Sequence, residues 1–312
     1  MSDRVHTPVM VEECLAALLV AEEGIYLDLT TGAGGHAEAA LERAPRARWL
    51  GVDRDAEILE IARANLARFG ERVELVQARW GDLDRLLDER GIAALDGALL
   101  DLGVSSLQLD RAERGFAFSQ DGPLDMRLDP RGGEATAAEL LERATQEQIA
   151  TWIRGYGEER FAGRIARAIV EARQRQPLRR TGELARIVEE VVPAPPRGVR
   201  RRIHPATRTF QALRIAVNRE LEDLEGVLGI LRRRIAPGGR LVVLSYHSLE
   251  DRIVKRFLRD VERADEFRRV SKKPLRPSEE EIRGNSRSRS AKLRIGERVR
   301  PEEVGATRRK RY

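Results

Sequence analysis

Residues 25–40 read IYLDLTTGAGGHAEAA, and residues 49–55 read WLGVDRD. A short apolar run ends at Asp28, a glycine-rich turn and a helix-like segment follow, and a second apolar run ends at Asp53. This order is typical of a unit that holds a nucleoside cofactor at the carboxyl ends of parallel strands: a strand, a glycine turn, a helix, a second strand and an acidic residue. Asp53 lies 19 residues after Gly34, where such units place the carboxylate that binds ribose hydroxyls.

Three interpretations of this unit stay open at this point. Gly32, Gly34 and Ala37 satisfy the dinucleotide pattern G-x-G-x-x-G/A. Asp28 instead favours S-adenosylmethionine, because a carboxylate suits the ammonium of its methionine moiety and would repel a pyrophosphate at the helix N-terminus. A purely structural strand–helix turn is the third interpretation.

Composition limits the class of protein. The chain has 312 residues, 41% hydrophobic and 35% charged, which fits a soluble protein with a large core. No apolar run approaches the ~20 residues of a membrane span, and the N-terminus lacks the pattern of a signal peptide. The single cysteine, Cys14, excludes an internal disulfide and fits a reducing compartment, so we expect a cytoplasmic protein. No histidine–cysteine cluster has metal-ligand spacing, so we expect no metal.

The formal net charge of +6 is unevenly distributed along the chain. Residues 1–110 carry 11 basic and 21 acidic side chains, whereas residues 152–214 carry 15 and 6 and residues 252–312 carry 21 and 10. Basic segments of this density indicate a polyanionic partner, most simply nucleic acid. The competing interpretation is a solvated helical surface in an arginine-rich protein.

Helices and short apolar strands alternate in the first third of the chain, which predicts a doubly wound parallel α/β sheet. Strands are expected near 25–29, 48–52, 73–77, 95–101, 240–246 and 291–300. Helices are expected near 8–20, 35–44, 55–68, 82–90, 136–143, 145–175 with a break around 155–157, 181–192, 207–235 and 249–261. Residues 107–135 and 265–290 read as irregular. We therefore predict one discontinuous domain, 1–110 with 206–312, interrupted by a mostly helical insertion over 111–205.

Several longer motifs are more specific than the glycine turn. They are DLTTGAGGH (28–36), GVDRD (51–55), DLGVSSLQLD (101–110), RGFAFS (114–119), PLDMR (123–127), TRTFQALRIAVN (207–218), SYHSLED (245–251) and SRSRSAKLR (286–294). With HTPVM near the start, these motifs resemble, in order and over nearly the whole chain, the RsmH (MraW) family. That family methylates the exocyclic nitrogen of a cytidine in bacterial small-subunit ribosomal RNA.

The resemblance implies an S-adenosylmethionine-dependent methyltransferase (Rossmann-like) fold whose helical insertion recognises RNA. It implies cofactor contacts from Gly34, Gly35, His36, Asp53, Trp80, Asp101 and Gln108, to which the turn itself adds Asp28 and Gly32. Trp80 stands where the family more often has phenylalanine, and we expect either aromatic ring to pack on adenine. Each of these side chains also has a structural interpretation, such as a helix cap, core packing or a loop hydrogen bond.

The cytosine amine is a weak nucleophile, so catalysis must align it with the methyl group and accept its hydrogens. DNA amino-methyltransferases use a D/N/S-P-P-Y motif after the fourth strand; by analogy Asp101 has that position here, without Pro-Pro-Tyr. We expect Asp101 to participate directly, Tyr246 to stack on the base, and His247 to orient it or remove a proton.

Arginines are expected to hold the RNA, by phosphate contacts without sequence selection. The candidates are Arg200, Arg201, Arg202, Arg208 and Arg214. The expected partner is 16S ribosomal RNA in its decoding region, within the small subunit or a late assembly precursor, while the oligomeric state, including a homodimer, stays open. The alternatives are a methyltransferase acting on another RNA or on a protein nitrogen, and a non-catalytic RNA-binding ribosome assembly factor.

Overall fold

The computed structural model describes residues 8–194 and 203–303. The chain forms two compact units, one within Met1–Gly103 and Leu221–Tyr312 and the other within Val104–Glu220. The boundaries therefore lie after residues 103 and 220, where the sequence suggested 110 and 205. The second boundary shifts because residues 207–218 bury Phe210 and Leu213 in the core of the second unit.

The first unit begins with alternating helices and strands, as predicted. They are α1 (Val11–Leu18), β1 (Ile25–Asp28), α2 (Gly35–Arg43), β2 (Arg48–Asp53), α3 (Ala56–Leu66), β3 (Val73–Gln77), α4 (Leu83–Glu89) and β4 (Leu95–Asp101). All of these elements were predicted to within three residues at each end. The agreement follows from clear local signals, because each strand is a short apolar run and α3 begins at Asp55, whose side chain accepts from the Glu57 amide.

The second unit is helical. Its helices are α5 (Ser106–Asp110), α6 (Ala137–Arg143), α7 (Gln146–Gly155), α8 (Ala162–Arg175), α9 (Thr181–Val191) and α10 (Thr207–Asn218). The break predicted around 155–157 separates α7 from α8. The short α5 lies at the start of a stretch predicted to be irregular. Three capping boxes, at Ser105, Thr136 and Thr145, begin α5, α6 and α7.

The chain then returns to the first unit. The remaining elements are α11 (Glu220–Arg234), β5 (Ile235–Ser245), α12 (Ser248–Arg263), β6 (Phe267–Arg269), α13 (Glu279–Gly284) and β7 (Lys292–Arg298). Short 3-10 helices occupy Ala67–Arg72, Trp80–Asp82, Ala112–Arg114, Ser286–Ser290 and Pro301–Glu303. None of the helices in the described ranges combines the length and the apolar character needed to cross a bilayer.

Three predicted elements differ in the structure. The single helix expected over 207–235 is two helices, α10 and α11, because Arg219 has a left-handed φ of 52° that ends α10. The strand expected at 240–246 begins at Ile235, and the expected turn at 237–239 lies inside it beside a register shift between Leu95 and Gly97. The stretch 265–290 contains β6 and α13. β6 has only three residues and pairs with β7, a tertiary contact that no local pattern signals.

In the described residues, seven strands form one sheet in the order β3-β2-β1-β4-β5-β7-β6. β1 to β5 are parallel to one another, whereas β7 runs antiparallel to both β5 and β6. The predicted doubly wound sheet is thus confirmed. Strand order reverses between β1 and β4, and ligands of such sheets bind outside the carboxyl ends of the strands at this switch point.

Alternating side chains of the strands supply two hydrophobic cores, one on each face of the sheet. Tyr26, Leu99 and Val242 belong to the core packed under α1, α2 and α3. Their neighbours Leu27 and Leu100 belong to the core packed under α4, α11 and α12. Burial on both faces holds the strand ends in place and so determines where their carboxyl-terminal residues lie.

Candidate active site

The carboxyl ends of four adjacent strands bring the predicted side chains to one edge of the sheet. β1 ends at Asp28, which pairs with Gly51 of β2 and Leu99 of β4. Asp53 therefore lies two residues beyond Gly51 in β2, and Asp101 lies two residues beyond Leu99 in β4. Asp101 in turn pairs with Leu244 of β5. Tyr246 consequently follows β5 at the same edge.

Asp28 is a buried carboxylate, with 1% of its surface exposed. The pKa of Asp28 is raised to about 7, mainly by burial and to a smaller extent by the nearby Asp101 and Asp53, while hydrogen bonds from Thr30 oppose the shift. The Thr30 amide donates to Asp28 Oδ1 at 3.0 Å and the Thr30 hydroxyl donates to the same atom at 3.3 Å. A cluster of carboxylates that repel one another is an environment that a cationic ligand would relieve.

Thr30 also connects Asp28 to Asp101, a contact that the sequence analysis missed. The Asp101 amide donates to Thr30 Oγ1 at 2.6 Å. Thr30 thus joins the ends of β1 and β4 across the switch point. The signal available in the sequence was a hydroxyl residue two positions after a strand-terminal aspartate, a common local hydrogen-bonding pattern.

The glycine turn leads directly into α2. Gly34 has a φ of 90°, and a Cβ there would lie 2.9 Å from Leu66 Cδ1, so both the backbone and the packing require glycine. A Cβ on Gly35 would lie 2.6 Å from Pro8 Cγ. The Gly32 amide is already engaged, since it donates to Asp53 Oδ2 at 2.9 Å. The amides of the first turn of α2, which starts at Gly35, are therefore the donors suited to an anionic group.

His36 is buried in the first turn of α2, with 6% of its surface exposed. Its Nε2 lies 3.0 Å from the Val9 carbonyl oxygen, so this nitrogen must carry a proton, because a carbonyl only accepts. Its Nδ1 then faces Asp101 Oδ2 at 3.9 Å. His36 and Asp101, from separate elements, thereby border the same space.

Asp53 ends β2, as predicted for a ribose-binding carboxylate. Its Oδ2 accepts from the Gly32 amide at 2.9 Å and its Oδ1 accepts from the Asp55 amide at 3.0 Å. Burial raises the pKa of Asp53 to about 6, although these backbone amides oppose the shift. Arg54 contributes a further backbone hydrogen bond, and since each carboxylate oxygen has two acceptor positions, Asp53 keeps acceptor capacity for a ligand.

Trp80 lies in the 3-10 helix after β3 and is half-buried. Its Nε1 donates to the Leu29 carbonyl at 2.8 Å, and its ring packs against the core under α4 and α11. The hydrogen bond fixes the orientation of the indole beside the end of β1. Packing on adenine is consistent with that placement and stays a prediction.

Asp101 and Tyr246 form the most direct side-chain contact at this edge. The Tyr246 hydroxyl donates to Asp101 Oδ1 at 2.7 Å. Burial first, and then the Asp101 charge, raise the pKa of Tyr246 well above its ordinary value, so the phenol stays protonated. The ring also packs against the core under α1 and α2. Tyr246 therefore orients the Asp101 carboxylate, and its predicted stacking on a base is not tested by these contacts.

His247 follows Tyr246 and caps α12. The Glu250 amide donates to His247 Nδ1 at 3.5 Å, while Glu250 Oε2 accepts from the Tyr246 amide at 2.9 Å. His247 Nε2 lies 2.9 Å from Glu250 Oε1, without hydrogen-bond geometry. These contacts account for the imidazole as a helix cap, and its predicted role in moving a proton stays a prediction. Glu250, 3% exposed, is the residue that sequence reasoning missed here.

Gln108 belongs to the second unit. Its side-chain oxygen accepts from the Ser105 amide at 2.9 Å, and its own amide donates to Ser105 Oγ at 3.2 Å, which completes the capping box of α5. The loop hydrogen bond that was its structural interpretation is therefore present. Its contact with the cofactor stays a prediction.

The predicted RNA-binding arginines fall into three groups. Arg214 is only 15% exposed and donates to both carboxylate oxygens of Glu220, at 2.8 and 2.7 Å, so it stabilises the end of α10. Its contact with RNA stays a prediction. Arg208 is 45% exposed and donates to the Glu158 carbonyl at 3.2 Å. Arg200, Arg201 and Arg202 lie outside the described residues.

Comparisons with known proteins agree with this geometry. The model of the MraW methylase family matches residues 3–299. A relative from Cutibacterium acnes, named ribosomal RNA small subunit methyltransferase H, is 47% identical over 320 residues, which cover 97% of this chain and 94% of the relative. Relatives of the same name from Sorangium cellulosum and Thermobifida fusca are 50% and 48% identical, over 94% and 95% of this chain and 91% and 94% of their own lengths.

These matches run through the glycine turn, the strand-end aspartates and the Tyr246 segment, which the structure brings to one edge of a doubly wound sheet. The resemblance drawn from the motifs is confirmed, and with it the Rossmann-like methyltransferase fold and S-adenosylmethionine as cofactor. The chain belongs to the MraW methylase family.

Proposed function

We propose that this protein transfers a methyl group from S-adenosylmethionine to the exocyclic N4 amine of a cytidine in the decoding region of bacterial 16S ribosomal RNA. Family membership supports the transferase class, and the names of the relatives support a small-subunit ribosomal RNA substrate. The observation that carries the choice of an amine is the Asp101 carboxylate, held at the switch point by a protonated phenol 2.7 Å away.

The residues at this edge fit the cofactor in charge and shape. Asp28, Asp53 and Asp101 form a negative cluster that matches the ammonium and the sulfonium, and the first amides of α2 match the carboxylate. Asp53 has acceptor positions for the ribose hydroxyls, and Trp80 offers a fixed aromatic surface for adenine. When bound, S-adenosylmethionine supplies an electrophilic methyl group.

The chain's own contribution is to position the amine and accept its hydrogens. The cytosine amine donates its lone pair into the ring, so it attacks only when that delocalisation is reduced. Asp101 can accept a hydrogen bond from the amine, which increases the electron density on nitrogen as the new bond forms. Tyr246 keeps Asp101 in one orientation by donating to its Oδ1, and we assign the contact with the amine to Oδ2, which borders the same space as His36.

The RNA must present its target base outside the helical stack, because a base paired within a duplex cannot bring its amine to the methyl group. Basic segments of the chain then hold the flanking phosphates with an affinity that falls as salt rises. We place the substrate in the small subunit or a late assembly precursor in the cytoplasm, and the helical second unit among the elements that contact RNA.

A methyl-transfer assay with isotope-labelled S-adenosylmethionine tests this function. Small subunits that lack the modification are compared with naked 16S RNA, and the labelled nucleosides are resolved by mass spectrometry. We expect label in N4-methylated cytidine. Label in another nucleoside or in a ribosomal protein would support the alternative of a methyltransferase with a different substrate. Cofactor binding or RNA binding without any label would support an assembly factor.

A further inference from the structure

The exposed face of α12 differs in charge from the other helices of the first unit. It presents Arg252, Lys255, Arg256, Arg259 and Arg263, with Asp260 as its acidic member. At 100° per residue the five basic side chains fall within one face about 100° wide. α3 presents Glu57, Glu60 and Arg63, and α4 presents Arg85, Asp88 and Glu89, which are mixed in sign. The α12 face therefore differs in charge from the exposed faces of α3 and α4.

Neighbouring carboxylates neutralise only part of this face. Arg256 pairs with Glu225 of α11, and Arg263 lies 3.9 Å from Asp260. In the part of the chain that the structure describes, Lys255 and Arg259 have no carboxylate partner. The other acids of α12 do not neutralise it. Asp251 pairs with Lys292 and Arg294, and Glu262 pairs with Arg269. Glu250 is buried at the start of the helix. The face therefore carries uncompensated positive charge at Lys255 and Arg259.

The face starts beside the active site. α12 is capped by His247, which directly follows Tyr246, and Arg252 lies about 7 Å further along the helix axis. The basic side chains then extend for about 16 Å, from Arg252 to Arg263. A nucleotide placed at Asp101 has phosphates on both sides of it, and one of these flanking segments can follow α12 without leaving the first unit.

Basic side chains also border the same edge of the sheet on the β7 side. Lys292, the first residue of β7, pairs with Ser245 at the end of β5. Arg287 and Arg289, which precede β7 in the Ser286–Ser290 turn, are exposed at this edge. Exposed arginines therefore lie on the β7 side of this edge as well as on the α12 face, although Lys292 itself is paired with Asp251. Positive charge at more than one place suits a polyanion rather than a small anion bound at one point.

We propose that the face of α12 formed by Arg252, Lys255, Arg256, Arg259 and Arg263 is a phosphate track that binds the RNA strand flanking the methylated nucleotide. The inference rests on the proposed function for the identity of the RNA. The track binds the backbone by charge and does not read bases, because lysine and arginine side chains on an exposed helix face contact phosphates irrespective of sequence. It places an RNA contact on the catalytic unit itself, in addition to those expected from the helical second unit.

The test uses the full-length chain carrying Lys255→Gln and Arg259→Gln together. Affinity for a fluorescently labelled 16S RNA fragment is measured between 50 and 200 mM salt, and the slope of log affinity against log salt is compared with that of the unaltered protein. Each phosphate contact contributes about 0.7 to 0.9 to this slope, so loss of two contacts lowers its magnitude by roughly 1.5. Affinity for S-adenosylmethionine and the melting temperature should not change.

A matched control carries Arg63→Gln and Arg85→Gln, two exposed arginines of the same unit that pair with carboxylates on their own helices. Its salt slope should equal that of the unaltered protein. An unchanged salt slope in the α12 variant would contradict the proposed phosphate track. An equal decrease of the salt slope in the control variant would contradict it as well. Methyl transfer is measured separately on the unaltered protein: absence of label in RNA would defeat the proposed function, while the binding slopes would still decide whether α12 contacts RNA.

Discussion

The charge on Asp28 should make the apoprotein less stable than its neutral counterpart. The side chain is 1% exposed, and its pKa rises from 3.8 to about 7 mainly because burial disfavours the charged form. At about 1.4 kcal/mol per pH unit, this rise corresponds to roughly 4 kcal/mol against folding once the carboxylate is ionised. The cost is tolerated because the same charge attracts the ammonium of the cofactor.

The sign of the pH dependence follows from the raised pKa. The folded state holds the Asp28 proton more tightly than the unfolded state. The contribution of Asp28 to the free energy of unfolding is therefore greatest below about pH 4 and falls progressively as the pH rises from about 4 to about 7. Asp28→Asn keeps an Oδ1 that accepts from the Thr30 amide but has no charge. The variant should exceed the unaltered protein in free energy of unfolding by up to roughly 4 kcal/mol at pH 8 and by roughly 1.5 kcal/mol at pH 5.

Equilibrium urea unfolding of cofactor-free protein at pH 5 and pH 8 measures this difference. The exposed Asp260→Asn is the matched control and should shift the free energy by less than about 1 kcal/mol at either pH. Calorimetry should show that Asp28→Asn weakens S-adenosylmethionine binding by about tenfold or more, as loss of a charge-assisted hydrogen bond requires. The reasoning is refuted if Asp28→Asn is no more stable at pH 8, or if its advantage is the same at both pH values.

Four further substitutions test the roles assigned at the sheet edge and in α10. Asp53→Ala should weaken cofactor binding by calorimetry while circular dichroism stays unchanged; unaltered affinity would remove its ribose role. Asp101→Ala should abolish methyl transfer, and near-normal turnover would reject the placement of the chemistry. Tyr246→Phe should lower kcat more than it changes the KM for RNA, because the Asp101 carboxylate loses the hydrogen bond that orients it. A variant whose kcat equals that of the unaltered protein at any pH tested would contradict this role. Arg214→Ala should destabilise the protein by about 3 to 5 kcal/mol in urea unfolding, because it leaves the Glu220 charge unpaired where only 13% of that side chain is exposed. Loss of RNA affinity without loss of stability would contradict this structural role.

The positions of Asp28, Asp53 and Asp101 could be predicted from the sequence, because each ends an apolar strand and parallel strands present their carboxyl ends at a common edge. The role of Arg214 could not. In a continuous helix, residues six apart do not lie on the same side, so the sequence predicts that Arg214 and Glu220 are separate surface charges. Because α10 ends at Arg219, the chain changes direction and Glu220 contacts Arg214. The hydrogen bond from Tyr246 to Asp101, 145 positions away, could not be predicted from the sequence either, and the predicted stacking of Tyr246 on a base stays a prediction.

The sequence by itself determined the alternation of helices and strands, the glycine turn and the acids at the strand ends. These are local properties, because hydrophobic periodicity and the conformational freedom of glycine act over a few residues. Tertiary structure alone decided the three-residue β6, the division of one long helix into α10 and α11, and the hydrogen bond from Tyr246 to Asp101. Each of these depends on contacts between segments far apart in the chain, whose free energy is gained only when the sheet and its two cores have already formed.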